Sequence, residues 1–257
     1  MRNKLFMLQK SPAIKLDDYR IVYIPIPKVA CTSIRSVCVD LLDFELPENA
    51  WKPSVLLSKE MDKYIDVKKR DASLITALQA YRLTGFWKFA ITRNPYDRLV
   101  SCYSEKVCKN IEMAGFVNGV SKGFVRYKRF YGNMPFKEYV EAVCDIPDSD
   151  ADPHFRSQHT FITSPKDEVY VDFLCDFEDL ELLTNELRSR TGRDVSIPHM
   201  LKSNRRALSE RNKTYVMLLF YPWYTLPHLI LHFVLLLIEG VTLSLLLRNW
   251  FVWQNIY

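Results

Sequence analysis

The stretch YRIVYIPIPKVACTSIRSVCVDLL, residues 19–42, decides the fold of this chain. Residues 19–26 are rich in β-branched and aromatic side chains and are closed by prolines, which predicts a buried strand. A short loop, PKVACTS, follows. From Ser33 onward the apolar residues recur at the spacing of one helical face: Ile34, Val37, Cys38, Leu41 and Leu42. The order is therefore strand, loop, helix.

A second unit of the same kind lies further along the chain. Residues 87–92 (WKFAIT) predict a short apolar strand that runs directly into RNPYDRLVSCYSEKV. Asn94 is suited to cap a helix, Pro95 to its first position and Asp97 to its first turn. Two such units indicate an α/β fold with a central parallel sheet flanked by helices. Ligands of such sheets bind at the carboxyl ends of the strands.

Length and composition fit one catalytic domain with a full core. The chain has 257 residues, of which 48% are hydrophobic and 13% aromatic. Its formal net charge is only +5, with acidic and basic residues interspersed, so a polycation that coats nucleic acid is excluded and a local basic pocket is favoured. The six cysteines have no CxxC pair and no zinc-ligand spacing, so we expect free thiols and no metal site.

The two ends of the chain carry the predictions about location. Residues 1–20 contain no apolar run long enough for a signal peptide, so we expect a cytoplasmic catalytic domain over residues 1–209. Residues 216–247 are almost continuously apolar, which predicts membrane association through a hydrophobic C-terminal segment, residues 210–257. Prolines, histidines and a glutamate inside this run suit a spanning helix poorly. The alternative is that a displaced reading frame produces this apolar segment, in which case we expect a soluble cytoplasmic protein.

The loop PKVACTS has the features of an anion site. It joins a strand to a helix, where backbone N–H groups without helical partners and the helix dipole favour an anion. Lys28 adds a positive charge, Ala30 permits close approach of a ligand to the backbone, and Thr32 and Ser33 supply hydroxyls. The glycines of GxxxxGK[ST] are absent, so the common ATP or GTP motif is not matched. A plain strand-to-helix turn is the alternative.

Arg93 and Ser101 form a second candidate group. Arg93 ends the second strand and Ser101 lies on the helix that follows, so both side chains can reach one anionic group. The alternative is an ion pair between Arg93 and Asp97, with Ser101 as a surface hydroxyl.

Together, PKVACTS and FAITRNPYDRLVSCY resemble the carbohydrate sulfotransferase family that includes the chondroitin and HNK-1 enzymes. DPHFRSQHTFI resembles the family's His-aromatic stretch, and VDFLCDFEDLELLTNEL resembles its Glu-Asx-Leu segment. The likeness covers residues 19–201. It implies a P-loop-like sulfotransferase fold that transfers a sulfuryl group from 3′-phosphoadenosine-5′-phosphosulfate (PAPS), without a metal, to a hydroxyl of a carbohydrate.

The resemblance also implies roles for the residues of both motifs. The family's first loop binds the 5′-phosphosulfate of PAPS, which implies a site made of Lys28, Ala30, Cys31, Thr32 and Ser33. An Arg and a Ser spaced as here bind the 3′-phosphate, which implies Arg93 and Ser101. Lys28 is the residue that we expect to offset charge on the leaving oxygen.

His154 is the candidate general base because it lies in the His-aromatic stretch and because imidazoles in general exchange protons near neutral pH. A hydrogen-bonded packing histidine is the alternative, and His159 and Glu178 are reserve bases. The chain carries Phe155 where the family usually has Trp, and the likeness stops near Ser209.

Two functions of other kinds stay open. A P-loop-like kinase would share the phosphate cradle, but it would need magnesium, a glycine-rich loop and a strand ending in a metal-binding Asp, and neither of these sequence features is evident. A non-catalytic nucleotide- or glycan-binding module at a membrane is the other.

Overall fold

The computed structural model describes residues 2–41, 72–107, 116–117 and 119–198. Its strands, in chain order, are β1 (Pro12–Leu16), β2 (Ile21–Ile24), β3 (Ala72–Thr76), β4 (Trp87–Thr92), β5 (Phe116–Val117), β6 (Val120–Ser121) and β7 (Phe173–Asp176). Its α-helices are α1 (Arg2–Lys10), α2 (Cys31–Leu41), α3 (Ala77–Arg82), α4 (Pro95–Lys106), α5 (Lys122–Val125), α6 (Phe136–Cys144), α7 (His159–Ile162) and α8 (Leu180–Thr191).

The described residues fall into two compact units. The first comprises the residues up to Arg98 and those from Asp148 onward, and the second comprises those from Leu99 to Pro147. The boundary between the two units falls inside α4. The predicted division at residue 209 lies outside the described residues and stays a prediction.

A five-stranded mixed sheet forms the centre of the first unit, in the order β3-β1-β2-β4-β7. β2, β4 and β7 run parallel, with Ile21 opposite Trp87 and Thr92 opposite Asp176. This confirms the parallel sheet that the two strand-to-helix units predict. β1 pairs antiparallel with both β2 and β3, and this antiparallel side was not predicted.

The core of the first unit is built around β2. All four residues of β2 are buried, as expected for a strand covered on both faces, and the ring of Tyr23 stacks on Phe89 of β4 with 5.1 Å between centroids. Apolar residues of α2 and α8 complete this core, including Ile34, Val37 and Leu183. Full burial of each such side chain stabilises the fold by about 1.5–3 kcal/mol.

Element boundaries explain how the sequence starts and stops each helix. Asn94 caps α4 through its Oδ1, which accepts from the amide of Tyr96 at 3.0 Å, and α4 begins at Pro95 as predicted. α8 ends at Thr191 and is followed by Gly192, whose φ of 66° is the left-handed conformation that glycine adopts without strain. α2 begins at Cys31, two residues before the predicted start.

The second unit contains a β5–β6 hairpin, α5 and α6. α6 covers most of the segment MPFKEYVEAV, residues 134–143, and ends at Cys144. Tyr103 packs edge-on against Phe136, and its hydroxyl donates to the carbonyl of Met134 at 2.6 Å. The rings of Phe124 in α5 and of Tyr127 and Phe130, which follow it, pack against one another.

Among the residues that the structure describes, no helix has the length and apolar character needed to cross a membrane. The apolar run of residues 216–247 lies outside those residues. This observation therefore does not test the prediction that the C-terminal segment associates with a membrane.

Candidate functional site

The loop between β2 and α2, residues 25–30, has an unusual backbone. Lys28 and Ala30 adopt φ values of 74° and 69°, in the left-handed region that residues with a Cβ seldom occupy. Each such residue costs about 1–3 kcal/mol and is retained where the surrounding fold enforces it, often at a ligand site. Left-handed residues that alternate with ordinary ones are typical of backbone nests that bind anions.

The amino terminus of α2 lies directly after this loop. The carbonyl of Ala30 accepts from the amide of Ile34 at 3.0 Å, so the amides of Cys31, Thr32 and Ser33 form the first turn. Amides of a first turn have no carbonyl partner within their own helix, and the helix dipole makes this end positive. The predicted first site is therefore one continuous stretch of backbone suited to an anion.

Cys31 contributes to the shape of the loop. Its Sγ donates to the carbonyl of Ile26 at 2.7 Å, across the loop from the end of β2. The side chain is half-buried, and the thiol is free, like those of the other cysteines in the described residues. The structure thus gives the Cys31 side chain a contact that braces the loop, while its amide lies in the first turn of α2.

Arg93 follows β4 and brings the second motif to the first. Its side chain is 7% exposed, its Nη1 donates to the carbonyl of Lys28 at 3.3 Å, and its guanidinium lies over the ring of Phe177 at 4.5 Å. The Gln158 side chain holds the Arg93 backbone from both sides, accepting from its amide at 3.1 Å and donating to its carbonyl at 2.8 Å.

Ser101 lies on α4 and is half-buried. It belongs to the second compact unit, whereas Lys28 and Arg93 belong to the first. Its predicted partnership with Arg93 therefore stays a prediction.

Arg98, which the sequence analysis missed, connects the loop to a third segment. Its side chain is 4% exposed and donates to three backbone carbonyls: Nε to Pro27 at 2.9 Å, Nη1 to Arg156 at 2.8 Å and Nη2 to Pro153 at 2.9 Å. A buried guanidinium needs such partners because an unpaired buried charge is very costly. An Arg on the helix after Pro95 was visible in the sequence, but its carbonyl partners were not.

His154 lies in that third segment and is oriented by Asp152. The ring Nδ1 is 2.6 Å from Oδ1 of Asp152, and the same oxygen accepts from the amide of His154 at 3.0 Å. The side chains of His154 and Asp152 are 35% and 13% exposed. The Asp-Pro-His order in the sequence was the available signal for this pair.

The reserve bases have different surroundings. His159 begins α7, where burial lowers the pKa of its imidazole, an effect partly opposed by Asp148. Glu178 is exposed in the 3₁₀ turn before α8. Phe155, in the position where the family usually has Trp, is buried.

The arrangement as a whole suits chemistry on an anion. Backbone amides, a dipole and the positive charges of Lys28 and Arg93 gather after β2 and β4, and the His154–Asp152 pair is attached to the same loop through Arg98. Within the described ranges, no group of three or more His, Cys, Asp or Glu side chains is arranged to hold a metal ion.

Comparisons with known proteins bear on this site. The family model described as "Sulfotransferase family" matches residues 12–219, which includes both motifs. Carbohydrate sulfotransferase 11 of Danio rerio is 31% identical over 98 residues, covering 35% of this chain and 24% of the fish protein. The match thus spans about a quarter of that relative's length. No solved structure matches the chain significantly.

Proposed function

Because the chain belongs to the sulfotransferase family, we propose that it moves a sulfuryl group from PAPS to a hydroxyl of a carbohydrate. The observation that carries this proposal is the contact between Arg93 Nη1 and the Lys28 carbonyl, which joins the two candidate phosphate motifs. The carbohydrate acceptor is supported by the likeness to a protein named as a carbohydrate sulfotransferase.

The residues present fit the two anionic groups of PAPS. The strained loop and the first turn of α2 would hold the 5′-phosphosulfate through the amides of Cys31, Thr32 and Ser33, with Lys28 adding charge. Arg93 and Ser101 would hold the 3′-phosphate. This division of roles predicts that affinity depends on both ends of the nucleotide.

PAPS supplies an activated sulfuryl group on a leaving group that departs as adenosine 3′,5′-bisphosphate. Lys28 would offset the negative charge that grows on the bridging oxygen, and fixed amides would keep the phosphate in place without reorganisation. His154 would accept the proton of the attacking hydroxyl. By analogy with phosphoryl transfer, positioning and charge stabilisation would supply most of the rate.

Calorimetry in EDTA tests the donor site without requiring an acceptor. Adenosine 3′,5′-bisphosphate should bind about 10- to 150-fold more tightly than adenosine 5′-monophosphate, since charge-assisted hydrogen bonds to the 3′-phosphate contribute about 1.5–3 kcal/mol. Arg93→Ala should remove most of this preference while leaving the monophosphate affinity similar. Equal affinity of the unsubstituted protein for both nucleotides would sink the assignment of Arg93 and Ser101.

Turnover is then tested with PAPS and a panel of glycans. Sulfated product is expected with at least one glycan. Phosphorylation of a glycan by a nucleoside triphosphate, in the absence of any sulfation, would contradict the proposal.

A further inference from the structure

We propose that Asp152 is a positioning residue of the transfer reaction, which holds His154 as the tautomer whose Nε2 accepts the proton of the acceptor hydroxyl. The inference rests on the proposed function, because it assigns a role within sulfuryl transfer. It concerns a carboxylate for which neither motif gives a role.

The geometry around the ring supports one tautomer. A neutral imidazole carries one N–H, and a carboxylate oxygen 2.6 Å from Nδ1 accepts that hydrogen, which leaves the lone pair on Nε2. The same Oδ1 accepts from the backbone amide of His154 at 3.0 Å, so the carboxylate is fixed to the residue that it orients. The Asp152 side chain is only 13% exposed, so water competes weakly for this oxygen.

The turn that carries the pair is itself rigidly held. The carbonyl of Asp152 accepts from the amides of Phe155 at 3.0 Å and Arg156 at 2.9 Å. Arg98 donates to the carbonyls of Pro153 and Arg156, on both sides of His154. The third bond of Arg98, to Pro27, attaches this turn to the loop that carries Lys28.

The transfer needs no reactant beyond PAPS, the acceptor hydroxyl and the imidazole of His154. The acceptor O–H bond breaks as its oxygen bonds to sulfur, and the bond between sulfur and the bridging oxygen breaks, with its electron pair leaving on adenosine 3′,5′-bisphosphate. The proton moves to Nε2 of His154. Nδ1 keeps its hydrogen, and the Asp152 carboxylate stays ionised and stabilises the imidazolium.

The decisive variant is Asp152→Asn in the full chain. The neutral amide cannot stabilise the imidazolium as a carboxylate does, whichever of its two ends faces Nδ1, so kcat should fall by about tenfold or more while the KM for PAPS changes less than about twofold. Asp152→Glu should restore part of the lost kcat. Asp150→Asn removes an exposed carboxylate two residues away and should change kcat less than about twofold.

Nitrogen-15 NMR of labelled histidine gives a readout that does not depend on turnover. The chain has 5 histidines, so His154→Gln identifies the resonance of interest. The wild-type ring should carry its hydrogen on Nδ1, and in Asp152→Ala, which removes the accepting oxygen, the tautomer with its hydrogen on Nε2 should become populated.

An Nε2–H ring in the wild-type chain, or an Asp152→Asn variant with unchanged kcat, overturns the role of Asp152 alone. Equal losses of kcat, nucleotide affinity and thermal stability in Asp152→Asn would likewise overturn it, in favour of a purely structural role. A wild-type chain that transfers sulfate to no glycan overturns the proposed function instead, whatever the NMR result.

Discussion

At the scale of single residues, Lys28 combines a left-handed backbone with a positively charged side chain. The backbone conformation shapes the candidate anion loop, whereas the side chain would act only as charge develops on the leaving oxygen. These two contributions can be separated experimentally because substitution to Ala removes the side-chain charge but leaves the backbone to adopt the same loop.

Lys28→Ala should therefore lower kcat by about 100-fold or more while the affinity for adenosine 3′,5′-bisphosphate changes by less than about tenfold. Steady-state kinetics and calorimetry measure the two effects on the same preparation. Arg93→Ala is the contrasting variant, for which the larger loss should be in affinity. A rise in KM with kcat unchanged in Lys28→Ala would contradict the role of the side chain.

The strain at Ala30 makes a prediction about stability. With φ at 69°, Ala30→Gly should raise the free energy of unfolding by about 1 kcal/mol, because glycine adopts this conformation freely. Ala142→Gly is the matched control: inside α6, the same substitution should lower the free energy of unfolding by about 1 kcal/mol or more. Urea denaturation measures both, and a loss of stability in Ala30→Gly would show that the loop is not strained there.

At the scale of elements, Arg98 ties the start of α4 to two segments that lie far from it in sequence. Arg98→Lys keeps the charge but cannot reach three carbonyls at once, so it should lower the free energy of unfolding by about 2 kcal/mol and also lower kcat. Arg82→Lys, an exposed substitution at the end of α3, should change neither by much. Denaturation curves and kinetics on both variants decide the matter, and an unchanged Arg98→Lys protein would exclude a clamping role.

Local sequence signals predicted β4 and the start of α4 closely. Asn94 with Pro95 defines the start of α4, and Gly192 defines the end of α8, because capping chemistry depends on neighbours in sequence. The antiparallel side of the sheet was missed because the pairing of β1 with β3 joins segments whose partner choice is not encoded locally.

The residues of the candidate site also divide into those with a local sequence signal and those whose contacts form only in the folded chain. Lys28 and the residues at the start of α2 could be proposed from the sequence because a strand-loop-helix motif has local features that favour an anion. Arg98 and Gln158 were missed because their partners are backbone carbonyls and amides that only the folded chain brings near. Asp152 was missed although it lies beside His154 in sequence, since an Asp-Pro-His order does not by itself indicate that the carboxylate turns back onto the ring.

At the scale of the whole molecule, the burial of Cys38 should make the free energy of unfolding fall as the pH becomes alkaline. Burial raises the pKa of the Cys38 thiol from 9.0 to about 12, so between these values the folded state binds more protons than the unfolded state. The contribution is fully present below pH 9 and is lost as pH rises toward 12, at a slope of up to about 1.4 kcal/mol per pH unit.

Cys38→Ala should therefore flatten the fall of the free energy of unfolding between pH 9 and pH 11, after its own packing loss is subtracted at pH 7. Urea denaturation across this range measures the slope. An identical slope in the variant and the parent chain would contradict the assignment.

We propose that the chain associates with a membrane through residues 210–257, with its catalytic domain on the cytoplasmic side. The full chain should then sediment with membranes and resist extraction by carbonate, because roughly 30 apolar residues gain strongly from leaving water. Replacing Leu235, Leu236 and Leu237 by Glu should release it, while nucleotide affinity stays unchanged. Full extraction of the unsubstituted chain by carbonate would refute the anchor.

The pairing of β4 with β7 has a consequence for how the protein reaches its native state. The hydrogen bond between Thr92 Oγ1 and Asp176 Oδ1 spans 84 residues, whereas β1 and β2 are joined by a turn of residues 17–20. Closing a long loop costs more entropy, and takes longer, than closing a short hairpin. We therefore expect a newly synthesised chain to form the β1–β2 ribbon early and to add β7 to the sheet last, once β7 has left the ribosome.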